Sequence, residues 1–107
     1  MATIDHDLTR ATGHELAAHL RAGATSSREI TEAHLAVAER DNRGLNAWLL
    51  IDREGALRQA DGADAILAAA RAEGRGAFDR LHPLLGLPVG LKDLVSVAGG
   101  QCTAGSR

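Results

Sequence analysis

Lysine occurs once in these 107 residues, at position 92, while the other eleven permanently charged basic side chains are all arginine. A desolvated lysine can release its proton near neutral pH and act as a neutral nitrogen base; arginine cannot. Lys92 follows an otherwise uncharged run, Leu81 to Leu91. A chain rich in alanine, glycine and arginine could hold one lysine there for no chemical reason. Composition therefore nominates Lys92 without assigning it a role.

The other reactive side chains fit known chemistry less well. Gly86 to Lys92 reads glycine-x3-glycine-x-lysine. A phosphate-binding loop needs glycine-x4-glycine-lysine, then serine or threonine and a helix, and Asp93 stands where the hydroxyl belongs. His14, Glu15 and His19 resemble a zinc-protease helix, but histidines five positions apart lie about 140° apart around a helix and cannot share a metal. His34 lies on an apolar stripe and reads as a packed or partly exposed residue, and His6 and His82 have no partner at a telling spacing. Cys102 needs a base nearby in space to act as a nucleophile and reads as a buried or loop thiol. Ser106 after Gly105 lacks the flanking residues of a nucleophile elbow and reads as structural. No cofactor or metal ligand set is expected within this segment.

These side chains must be positioned by a segment of at most one domain, with 45% hydrophobic residues and a formal charge of −2. Trp48 and Phe78 are the only aromatics, so a core of leucine, valine, isoleucine and alanine, favouring closely packed helices, is expected. No stretch reaches the roughly 18 apolar residues that span a bilayer. The start, with Asp5, His6 and Asp7 close behind Met1, is not a secretory signal. One cysteine excludes an internal disulfide and makes a cytoplasmic location the expectation. Arginines interleaved with acids do not form a nucleic-acid patch.

Thr12 with Glu15, and Ser26 with Glu29, have the spacing of capping boxes and open two short helices, about 13–22 and 27–40. The first presents Leu16, Ala17 and Leu20 and stops at Gly23; the second presents Ile30, Ala33, His34 and Val37. Ala47 to Ile51 is short and continuously apolar and reads as a buried strand, about 47–51. A long helix follows over about 53–73, with Leu57, Ala60, Ala63, Leu67 and Ala70 three or four apart and Gly55 and Gly62 weakening it slightly. After Gly74-Arg75-Gly76 a loop leads into a second strand, about 87–93, entered through Pro88. The expected fold class is thus α/β: two short helices, a strand, a long helix and a strand bearing Lys92.

In that second strand Lys92 shares a face with Gly90 and Pro88, while Asp93 points to the other face. The missing side chain at Gly90 either admits a close-packed partner beside the ammonium or marks an ordinary edge strand. The glycine-rich stretch from Gly99 to Arg107 suits a loop near an active centre. As a terminus it is an odd end for a folded domain, which reads as the N-terminal piece of a larger protein.

Pro83-Leu84-Leu85-Gly86-Leu87-Pro88-Val89-Gly90-Leu91-Lys92-Asp93-Leu94, followed by Thr103-Ala104-Gly105-Ser106, resembles the catalytic-lysine segment of the amidase signature family. Upstream, Ser26 and Ser27, Glu29, Glu32 to Leu35 and Leu45 to Trp48 resemble the family's N-terminal helices and first strand. The resemblance implies that residues 1–107 are the incomplete N-terminal part of a single amidase domain. Within the family, Asp52 to Leu57 and the Thr-Ala-Gly-Ser-Arg ending look most like the A subunits of glutamyl/aspartyl-tRNA amidotransferases.

The resemblance implies a serine, cis-serine and lysine triad with Lys92 as the base, both serines lying downstream, and a segment inactive alone. Burial among Leu, Val and Pro without a close acid would suit that role. For the A-subunit form it further implies glutamine as the ammonia source, B and C subunits as partners, tRNA reached through the complex, and ATP with Mg in a partner subunit. Two other readings stay open: a stand-alone amidase for another amide, and a helical interaction module without chemistry.

Overall fold

Two hydroxyls start the first two helices, as their spacing to a glutamate suggested. Thr12 Oγ1 accepts the backbone N–H of Glu15 at 3.1 Å, and Ser26 Oγ accepts that of Glu29 at 3.0 Å. Each satisfies one of the amides that a helix start leaves without a carbonyl. The computed structural model describes residues 7–93 together with residues 95 and 98. Over these it contains α1 (Gly13–Ala22), α2 (Ser27–Leu45), α3 (Arg53–Glu73) and the single turn α4 (Arg75–Phe78).

α1 ends at Gly23, whose φ of 77° is the left-handed region, with its N–H directed to the carbonyls of His19 and Leu20. α2 runs beyond the expected stop near residue 40. Gly44 falls inside its last turn, and the stop is Asn46, left-handed at φ 51°, whose N–H bonds the carbonyl of Asn42 at 2.9 Å. At the head of α3, Asp52 accepts the N–H of Gly55 at 3.1 Å. A side chain on residue 55 would run into that carboxylate, so this glycine fits the cap rather than weakening the helix.

Leu16, Leu20, Ile30 and Leu67 form the buried centre, with Leu8, Ala11, Phe78, Leu81, Leu85 and Leu87 packed around it. α3 approaches through small residues, Ala60, Ala63 and Ala70, and packs against α1, α2 and α4. Within α2, Arg28 pairs with Glu32 at 2.8 Å; across to α3 it pairs with Asp61 at 2.8 Å, and Glu39 of α2 pairs with Arg53 of α3 at 2.6 Å. These pairs are solvent-exposed and contribute at most about 1 kcal/mol each.

The expectation of an α/β fold is overturned. Among the described residues there is no strand, and both 47–51 and 87–93 are irregular. In the first segment, the backbone N–H and C=O of Trp48, which a sheet would use, are both held by the carboxamide of Asn42, at 2.7 and 3.2 Å. In the second, Pro88 has no N–H and the N–H of Leu87 turns back to Leu84 O at 3.1 Å. A strand exists only by pairing, and no backbone hydrogen bond joins these two segments among the described residues.

Candidate functional site

The segment leading to Lys92 is fastened to the helices up to Leu87. Arg21 of α1 donates to the carbonyls of Phe78 and His82, both at 3.2 Å, and its guanidinium lies 5.7 Å from the centre of the Phe78 ring. His82 Nδ1 accepts the N–H of Leu84 at 3.0 Å, so this histidine shapes a turn. Leu85 and Leu87 pack on the buried centre. Between them Gly86 has φ 91°, and its carbonyl accepts the buried Ser27 hydroxyl at 2.7 Å. A methyl group there would stand 3.0 Å from Leu20 Cδ1, so neither the backbone nor the space suits a larger residue.

From Val89 onward the chain comes to the surface. Val89, Gly90, Leu91 and Lys92 are exposed, and the Lys92 side chain makes no hydrogen bond or ion pair among the described residues. Its carbonyl accepts the N–H of Val95 at 3.0 Å, so the chain turns here. The apolar enclosure expected around Lys92 is therefore not built by the described residues, and the two-faced strand that was to separate it from Asp93 is replaced by a turn. Gly90 does admit a close neighbour, but the neighbour is Trp48: Cη2 of the indole lies 2.8 Å from where a β-carbon would stand.

His34 is half-buried, with Nδ1 2.8 Å from the carbonyl of Ile30, one turn back in its own helix. Among the described residues no group of three or more His, Cys, Asp or Glu side chains is placed to hold a metal. No helix among them is long and apolar enough to cross a membrane. His6, Cys102 and the stretch Thr103 to Ser106 lie outside the described residues.

Asp64 and Arg71 hold the support together and were not singled out from sequence. Asp64 of α3 accepts the N–H groups of Ser27 and Arg28 at 2.7 and 3.1 Å, placing a carboxylate at the positive end of α2. Two turns on, Arg71 donates to the carbonyl of Leu20 at 3.0 Å, at the negative end of α1. Their signal was two opposite charges seven residues apart beside an alanine stripe. They line a surface cavity of about 550 Å³ with Leu20, Thr25 and Glu29; none of the described residues from 78 to 93 borders it.

The structure thus defines a lysine-bearing loop held at one end on a helical support. The family model described as Amidase matches residues 29–107, a range that includes the loop, and the chain belongs to that family. Similar curated proteins include the A subunit of the glutamyl-tRNA(Gln) amidotransferase of Streptomyces coelicolor, 38% identical over 94% of this chain and 19% of that protein. The protein of that name from Paenarthrobacter aurescens is 38% identical over 100% of this chain and 20% of its own length. That from Alcanivorax borkumensis is 42% identical over 87% of this chain and 18% of its own length. The chain spans about a fifth of the length of these relatives. No solved structure matches it significantly.

Proposed function

We propose that this chain supplies the lysine base of an amide-hydrolysing centre that releases ammonia from glutamine for transfer to glutamyl- or aspartyl-tRNA. The observation that carries the reading is the single lysine of the chain, standing in Pro83–Leu94 within the region matched by the amidase family. The amidotransferase part rests on the names of the relatives.

A neutral Lys92 takes the proton of an attacking serine through a second serine as the first serine's Oγ bonds to the amide carbon. The lysine then returns the proton to the leaving nitrogen, ammonia departs, and water hydrolyses the acyl-enzyme with the same base. Both serines and the oxyanion donors come from the part of an amidase domain that follows these residues. That part also supplies the apolar surroundings a neutral lysine needs. B and C subunits complete the complex, one of them using ATP and Mg to activate the tRNA-bound acid.

In an assembled amidase domain containing this chain, Lys92→Ala is expected to slow glutamine hydrolysis about 10²- to 10⁴-fold, the usual range for a positioned base. Lys92→Arg should do no better, because the guanidinium keeps a charge but cannot accept a proton. Ammonia release by Lys92→Ala at the normal rate rules the base role out. Hydrolysis of a different amide, with no B or C subunit co-purifying, removes the amidotransferase part and leaves the lysine in place.

A further inference from the structure

Three helices and the lysine-bearing segment meet at Gly86. A β-carbon on that glycine would stand 3.0 Å from Leu20 of α1, 3.5 Å from Ser27 of α2 and 3.6 Å from Leu67 of α3. The polar contact at this junction is the hydrogen bond that the Ser27 hydroxyl donates to the Gly86 carbonyl at 2.7 Å. Among the described residues it is the last hydrogen bond from the helices to this segment before Lys92. Ser27 is 1% exposed, so water does not compete for the bond. Its backbone is fixed in turn by Asp64 of α3, which accepts the Ser27 N–H at 2.7 Å. The cap of α2 is the neighbouring Ser26, whose hydroxyl accepts the N–H of Glu29. The hydroxyl of Ser27 therefore serves the lysine-bearing segment and not its own helix.

We infer that Ser27 is a positioning residue for Lys92: its hydroxyl, set from α3 by Asp64, fixes the point from which the chain sets out toward the lysine. The inference rests on the reading of Lys92 as the base of an amide-hydrolysing centre. The connection is stiff where it begins. Pro88 holds its own φ near about −65° and confines Leu87 to extended conformations. The Leu87 side chain packs on the buried centre. A Gly86 carbonyl released from Ser27 therefore carries the Leu87–Pro88 unit with it and displaces the lysine further along. Proton transfer tolerates little displacement, because donor and acceptor must approach to about 2.6–3.2 Å. Ser27 is buried behind the segment, so it acts on the rate through Lys92 and not on the binding of glutamine.

The test is made in an assembled amidase domain containing this chain. Ser27→Ala should lower kcat for glutamine about tenfold or more and leave KM within about twofold, the scale expected when a reacting group is slightly misplaced. Ser27→Cys fills nearly the same space with a much weaker donor and should behave like Ser27→Ala, which separates the hydrogen bond from packing. Ser26→Ala removes the cap at the same helix start and should keep the parent kcat. A second readout needs no activity. The amides of Leu85 and Leu87, bonded to the carbonyls of His82 and Leu84, should exchange at least about tenfold faster in Ser27→Ala, with those of α3 unchanged. Parent kcat and parent exchange in Ser27→Ala overturn the inference. So does an equal fall of kcat in Ser26→Ala, or loss of α3 protection together with that of Leu85 and Leu87, since either makes Ser27 a matter of overall stability. Local loosening at Leu85 and Leu87 in a parent that does not hydrolyse glutamine leaves the anchor standing and rejects the proposed activity.

Discussion

Gly86 and Gly90 both precede Lys92 in its loop and tolerate substitution very differently. At Gly86 the backbone is left-handed and the space beside it is filled by buried Leu20, so Gly86→Ala combines backbone strain with overpacking. A loss of about 2 kcal/mol or more is expected, read from urea denaturation followed by circular dichroism. At Gly90 the neighbour is the edge of a partly exposed indole that is free to swing away. Gly90→Ala should change stability by no more than about 0.5 kcal/mol. It should nonetheless shift the emission of Trp48, the only tryptophan. The reverse ranking would mean that the loop is anchored beyond Gly90 and not at Gly86.

At the scale of elements, α3 organises its neighbours through two charges more than through apolar area. Its buried face is mostly alanine, and Asp64 and Arg71 reach from it to the start of α2 and the end of α1. Asp64→Ala strips two amides of a charged acceptor and should cost about 1.5–3 kcal/mol, more than the roughly 1 kcal/mol expected of Ser26→Ala at the same helix start. Urea midpoints of the two variants decide the order. Surface charges contribute differently. The carboxyl of Asp41 is held below its ordinary value, chiefly by the hydrogen bond from Arg40. Its stabilising effect is therefore present above the ordinary carboxylate range and is lost as the pH falls through the lowered value; the pair is exposed and screened by salt.

For the molecule as a whole, the buried centre is small and a large share of the leucine is outside it. Replacing an exposed leucine of the 45–50 segment should therefore leave folding intact and improve solubility. Leu49→Asp is expected to keep the unfolding free energy of the isolated chain within about 0.5 kcal/mol of the parent while raising the concentration at which it stays monomeric. A marked loss of stability would place Leu49 inside the chain's own fold. The same imbalance fits the composition: with one tryptophan, one phenylalanine and many alanines, helices can approach closely but bury little.

What the sequence determined by itself is local. The caps at Thr12 and Ser26, the stop at Gly23 and the alanine stripe of α3 act within a few residues of where they are written, and the structure contains all of them. The family was equally legible, because Pro83–Leu94 has a distinctive order of residues around its lysine. What only the tertiary structure decided is non-local. Continuous apolarity at 47–51 and 87–93 states that these segments seek burial, but not that they pair, since pairing depends on backbone groups elsewhere and Asn42 has taken those of Trp48. The surroundings of Lys92 are non-local for the same reason: a side chain is enclosed by residues distant in sequence, and those described here leave it on the surface.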